Sequence, residues 1–287
     1  MDAAPADDDD LVARARGGDR AAFDALATAH LRPLRAVVRR LVGHPEDAED
    51  LVQQALLKAW RALGTFRAEA RFGTWLCAIG TRLAIDHLRA ARRWRTDAQV
   101  IHANRCQADE ARAVEILGAL AAPDAAYDVH EHIAYCFTCV GRSLPPEQQA
   151  AIVLREVLGL DNREAARALG VSRSVLRHRL ASGRRAMEAR YEGLCRRVRK
   201  EGGCYQCAGL RELAPGDRRG PTPPARLSFA ERLVAVRQAD PAAGPARPLH
   251  DLLFRHLAEQ EEACAEDPGA TVACGPPTPS TERPSTA

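Results

Sequence analysis

A chain of 287 residues, 46% of them hydrophobic, is long enough for two ordinary domains with cores of their own. Its net charge of +3 conceals segregation, because the start, MDAAPADDDD, is acidic while the stretches 82–95 and 162–190 are rich in Arg, and a basic patch rather than a basic total is what nucleic acid needs. No apolar run approaches a membrane span and the N-terminus has no apolar leader core, so the expected location is the cytoplasm, where nine Cys, an odd number, argue for metal or thiol chemistry ahead of structural disulfides.

In chain order, residues 1–10 form an acidic start expected to be disordered, and residues 11–95 a first helical domain. Leu11 to Leu41 reads as two helices, the first opening near Asp19 and the second broken early or entered at Pro33, with Leu26, Leu34, Val37, Val38 and Leu41 buried. The next helix is the clearest. Pro45 suits its first position, Glu46 and Asp47 suit the N-terminal dipole, and Ala48, Leu51, Val52, Ala55, Leu56, Ala59, Trp60 and Leu63 follow helical spacing up to Gly64. A loop from Thr65 to Arg71 leads to a fourth helix with Phe72, Trp75, Leu76, Ile79 and Leu83 on one side and a basic end at Arg82, Arg89, Arg92, Arg93 and Arg95. Aromatic residues at this spacing ordinarily fill a core.

Residues 96–142 form a linker with its own chemistry. His132, Cys136 and Cys139 stand at i, i+4 and i+7, one face of a helix, and an imidazole with two thiolates suits tetrahedral zinc. The bland alternative is that both Cys are small buried hydrophobes. Residues 143–192 have the form of a helix-turn-helix, with Asn162 as N-cap, a buried side at Ala165, Ala166 and Leu169, a turn at Gly170 and a new cap at Ser172. Val175, Leu176 and Leu180 then give the second helix a buried side, while eight Arg against two Glu between Asn162 and Arg190 give the motif a local charge of +6. A helix after a tight turn, charged with one sign, is placed to meet phosphates and base edges.

Segment 193–211 carries Cys195, Cys204 and Cys207. Two metal assemblies compete: Cys106 with His132, Cys136 and Cys139, leaving Cys195, Cys204 and Cys207 for another site, or Cys136 and Cys139 with Cys204 and Cys207 in one four-thiolate site. The rest, 212–287, is Pro-rich and expected to be largely flexible, with short amphipathic helices available at 227–238 and 250–263.

The run DAEDLVQQALLKAWRALGTFRAEARFGTWLCAIGTRLAIDHLR closely resembles region 2 of bacterial sigma factors of the extracytoplasmic-function type, and the stretch from Ser143 to Arg190 resembles region 4 of the same family, in the same order. The resemblance implies an all-α protein of two small helical domains, a region 2 bundle and a region 4 helix-turn-helix, joined by the Cys/His-bearing linker. It implies a non-enzymatic initiation factor whose partners are core RNA polymerase, promoter DNA and an anti-sigma factor. Residue by residue, it places Asp47, Asp50, Gln53 and Gln54 against the polymerase. The loop from Phe66 to Arg71, with Phe66, Arg67 and Arg71, would capture a flipped base of the minus-ten element, Trp75 would also bind DNA, and Arg82, Arg89, Arg92 and Arg93 would hold the DNA there. Arg173, Ser174, Arg177, His178 and Arg179 would read the minus-thirty-five element. Cys106 followed by His132-x3-Cys136-x2-Cys139 resembles a zinc-binding anti-sigma motif. Gln54 where Glu is common, Cys77 where an aromatic is common, and Leu176–Arg177–His178 in the recognition helix depart from the family pattern. An alternative of another class is a zinc-binding interaction protein with degenerate sigma-like regions.

Overall fold

The structure is a computed structural model that describes residues 8–67, 70–91, 109–195, 205–222, 227–241 and 243–266. Among the described residues every regular element is helical, as the sequence implies.

Helix α1 (Asp8–Arg16) reaches into the acidic start, and Asp8 meets His30 at 2.9 Å across the pair it forms with α2 (Arg20–Val42). Asp19 caps α2, its carboxylate accepting from the Ala22 N–H. The expected break at Pro33 does not occur: α2 is one helix through it. Pro33 and Ala29, whose carbonyl loses its intrahelical donor, both lie on the exposed side, so water can satisfy the orphan and the buried stripe stays continuous. Helix α3 (Pro45–Ala62) starts at Pro45 as read, and α4 (Phe72–Ala90) crosses α2 so closely at Gly80 that a Cβ there would stand 2.6 Å from the Leu34 methyl. Helices α1 to α4 form the first domain.

The linker contributes α5 (Glu110–Ala121) and α6 (Val129–Arg142), capped by Asp109 and Asp128. Helix α7 (Pro146–Ile152) runs on into a π-helical segment, Val153–Val157, in which the Leu158 N–H reaches back to the Val153 carbonyl. Helices α8 (Asn162–Ala168) and α9 (Arg173–Cys195) make the helix-turn-helix. Its cap is Asp161, in a reciprocal capping box with Glu164, and Asn162 is the first helical residue rather than the cap. Gly170, at φ +64°, makes the turn, and Ser172 caps α9 by accepting from the Val175 N–H at 3.3 Å.

Beyond region 4 lie α10 (Tyr205–Leu213), α11 (Phe229–Gln238) and α12 (Arg247–Glu266). Helices α11 and α12 fall on the two amphipathic helices read at 227–238 and 250–263, and where described the extension packs on the domains in place of the flexibility expected for most of it. Leu249, Leu253, Phe254 and Leu257 of α12 join Ile116, Leu120, Tyr127, Ile133 and Tyr135 of the linker in a hydrophobic core of their own, while Leu233 and Val236 of α11 join the main core shared by the two domains. The prolines misdirect the reading because, where described, they stand between helices or in a first turn: Pro215, Pro221, Pro241, Pro245 and Pro248 interrupt no helix interior.

Two polar devices fasten these layers. Gln149 of α7, 2% exposed, donates its amide to the Arg40 and Leu41 carbonyls at 3.2 and 3.0 Å, closing the C-terminal end of α2 from another domain. Arg40, itself buried, donates to the Val236 and Ala239 carbonyls at 2.8 and 2.6 Å and closes the end of α11. Burial lowers the Arg40 pKa to about 10, and the two carbonyls, with Asp240 nearby, hold the charge there.

Candidate nucleic-acid interface

The second helix of the helix-turn-helix separates inner and outer sides cleanly. Leu176, Leu180, Gly183 and Met187, at i, i+4, i+7 and i+11, are buried, and Gly183 lies against Ile152 of α7. Arg173, Ser174, Arg177 and His178 are exposed on the outer side and Arg179 is half-buried at its margin. Val175 was expected inside and is 41% exposed. It stands one residue, about 100°, off the inner stripe and turns outward with the Arg side chains. The outer side can therefore offer guanidinium forks to base edges and phosphates together, the arrangement a major groove requires. The rest of the basic charge is partly engaged. Arg184 pairs with Glu156 and Arg190 donates to the Ser143 hydroxyl at 2.6 Å.

The basic end of α4 is in a different condition. Arg82 donates to the Ala168 and Arg167 carbonyls at 3.0 and 3.3 Å, the negative end of α8. Arg89 makes two bonds, at 2.9 and 2.7 Å, to one carboxylate oxygen of Glu147 on α7 and a third to Asp86. Two of the four Arg expected to hold DNA are thus bonded, though exposed, to the helix-turn-helix domain of the same chain. Arg92 and Arg93 lie outside the described residues.

The aromatic group at the head of α4 is a core cluster. Phe66 is 6% and Phe72 3% exposed, with ring centroids 6.0 Å apart and Trp75 at 5.0 and 5.7 Å from them. Phe66 is therefore buried within this cluster, whereas capture of a base would need its ring exposed. Trp75 is half-buried at the cluster's edge, and Arg67 and Arg71 are exposed beside it.

On α3, Asp50, Gln53 and Gln54 are exposed, and Asp47 is half-buried between His44 and His87, at 3.6 and 3.5 Å. Leu57, unnoticed in the sequence, is 50% exposed one turn beyond Gln53 and Gln54 and adds an apolar side chain to this face. The signal was its i+7 spacing from Asp50, masked by its membership of a Leu-Leu pair.

The Cys/His face is assembled only in part. His132 is 2% exposed, its Nδ1 is 3.2 Å from Nε2 of His250 on α12, and its ring lies against Tyr135. Burial lowers its pKa to about 4 and holds that of His250 well below the usual imidazole range. Cys139 is buried and Cys136 half-buried on the same helix. Among the described residues no three Cys, His, Asp or Glu side chains stand together as a metal site would require. His132 thus faces a histidine of the extension where the spacing predicted a ligand set. Cys106 and Cys204 lie outside the described residues, and Cys207 falls on α10, which packs against α6.

Comparison with known proteins adds the family context. The Sigma-70 region 2 family model matches residues 26–94 and the Sigma-70 region 4 model matches residues 137–187. The RNA polymerase sigma-H factor of Pseudomonas aeruginosa is 30% identical over 192 residues, spanning 66% of this chain and 96% of its own. The ECF RNA polymerase sigma-E factor of Escherichia coli K12 is 33% identical over 190 residues, spanning 65% and 95%. Among solved structures, CnrH in complex with the cytosolic domain of CnrY is similar at 27% identity and a TM-score of 0.41, covering 65% of this chain and 97% of that one.

Proposed function

Because the chain belongs to the extracytoplasmic-function sigma factors of the sigma-70 family, we propose that it performs their task, promoter recognition with core RNA polymerase, through the residues described above. The observation that carries this reading is the outer side of α9, where Arg173, Ser174, Arg177 and His178 are exposed together at the head of a helix capped as a helix-turn-helix requires. Region 4 reads the upstream promoter element with that side. Region 2 docks on polymerase with Asp47, Asp50, Gln53, Gln54 and Leu57, and holds the opened downstream element with Arg67, Arg71, Trp75, Arg82 and Arg89. The protein supplies no reacting group, since the polymerase makes the bonds.

Run-off transcription with core polymerase tests this directly. Promoter-specific transcripts should require the protein, and Arg177→Ala should lose about 5- to 150-fold in discrimination between cognate and mutated upstream elements, as expected for one bidentate Arg-to-guanine contact. Failure of the wild-type chain to bind core would refute the reading.

Thiol or metal control is the second part of the proposal, supported by the position of Cys136 and Cys139 on α6, the helix against which both domains and α10 pack. Of the two assemblies, the four-thiolate set of Cys136, Cys139, Cys204 and Cys207 is favoured, because His132 faces His250. Zinc content measured on wild type and on Cys136→Ser decides it: no bound zinc in either, with activity indifferent to oxidant, ends that part.

A further inference from the structure

The extension beyond residue 187 lies outside both family models and yet touches both domains. On the region 2 side, Asp251 of α12 pairs with Arg39 of α2, both nearly buried, and Arg255 reaches Glu46 of α3 at 2.7 Å. The end of α11 is closed by Arg40. On the region 4 side, Arg237 of α11 donates to the Glu156 carbonyl at 2.5 Å, and the Arg232 guanidinium lies over the Tyr191 ring of α9 at 4.2 Å. One helical hairpin therefore grips α2 and α3 with one set of side chains and the π segment and α9 with another. What it braces is the direct packing of region 2 on region 4, in which Arg82 and Arg89 are bonded to region 4.

We propose that the α11–α12 hairpin is an intramolecular clasp that keeps region 2 docked on region 4 and so keeps region 2 from opening promoter DNA until the hairpin is released. This rests on the sigma reading above. The outer side of the recognition helix and the polymerase face of α3 stay exposed in the clasped form, so the clasp blocks the opening of DNA by region 2 and not the first encounter with polymerase or the upstream element. Its grip is ionic on both sides, Asp251 with Arg39 and, at 3.9 Å, Arg237 with the Glu156 carboxylate, and packed between them. It follows that reversing charges on the extension alone, without touching either domain, should release it: Asp251→Arg sets a cation against Arg39, and Arg237→Glu sets a carboxylate against Glu156.

The test uses the full chain with dyes on unnatural residues at the exposed positions 58 and 185, read by energy transfer, and run-off transcription with core polymerase in parallel. Asp251→Arg with Arg237→Glu should lower the transfer and raise transcription about fivefold or more, the low end of ordinary coupling between sites. Restoring one ion pair with Arg39→Asp in the Asp251→Arg chain should return both readouts towards wild type, which a merely unfolded extension would not do. Arg237→Ala, at a half-exposed position, is a milder variant expected to move both readouts in the same direction. Unchanged transfer, or lower transfer with no gain in transcription, overturns the clasp. Absence of core binding by wild type and variants alike overturns the sigma reading itself, whereas core binding with unchanged transcription overturns the clasp alone.

Discussion

Gly43 ends α2 at φ +84°, and the Phe254 ring of α12 lies where its Cβ would be: a Cβ built there stands 2.7 Å from the nearest ring atom. Gly43→Ala in the wild-type chain therefore carries two costs. The backbone conformation costs about 1–3 kcal/mol for an L-residue, and displacing the ring from a packed core costs another ~1–3 kcal/mol. In a Phe254→Ala background, which itself loses about 3–5 kcal/mol, only the backbone cost remains. The double-mutant cycle should thus give a coupling of about 1–3 kcal/mol, with the second substitution cheaper than it is alone. Urea unfolding of the four proteins, followed by circular dichroism, reads it. Additivity within about 0.5 kcal/mol would mean that the ring does not lie on Gly43 in solution, and the docking of α12 on region 2 would have to be redrawn.

The other predictions concern polar groups. Gln149→Ala leaves the Arg40 and Leu41 carbonyls without their buried donor and should cost about 1–3 kcal/mol; a loss below about 0.5 kcal/mol would show that water reaches them. For His132, the folded pKa of about 4 lies below the ordinary 6.5, so its contribution is full above pH 6.5 and is lost as pH falls through the folded value. The loss is on the order of 3 kcal/mol, and His132→Phe with His250→Phe should flatten melting temperature against pH across that window. Glu131 runs the other way: burial raises its pKa to about 7, so it favours the fold when protonated and that stability is lost as pH rises from 4.5 through about 7. Glu131→Gln should remove this opposing slope and sharpen the acid-side decline. Leu57→Asp should weaken binding to core polymerase while leaving the unfolding midpoint nearly unchanged, because the side chain is half in solvent; an equal loss of stability would place Leu57 in the fold instead.

Local chemistry made much of this legible. Pro45 followed by Glu46 and Asp47 gave the start of α3, Ser172 the start of α9, and the run of Arg the outer side of the recognition helix, since each depends on contacts within a turn or two. Pro33 misled because the cost of a proline depends on whether the freed carbonyl meets water, which is a property of the packed surface. The Asp161 cap was misplaced by one residue, since neighbouring Asp and Asn are both good caps and only the reciprocal bond with Glu164 separates them. Helical spacing likewise found α11 and α12 and their apolar sides, but periodicity does not say what an apolar side faces. Their partners stand up to about two hundred residues away, as with Arg40 and Val236. His132 shows the same limit at the site: its spacing to Cys136 and Cys139 was consistent with a ligand set, and its actual neighbour, His250, lies 118 positions on.

The closure of α11 by Arg40 also sets an order in time. The helix that supplies the cap is synthesised about two hundred residues before the hairpin that needs it. From the end of α9 at Cys195 to the end of α12 at Glu266, 71 further residues must be synthesised, about 4–14 s at ordinary bacterial rates of roughly 5–20 residues per second. During that interval the two domains are held only by their shared core and by Gln149, so under the clasp proposed above each new copy passes through an unclasped stage before α12 is made.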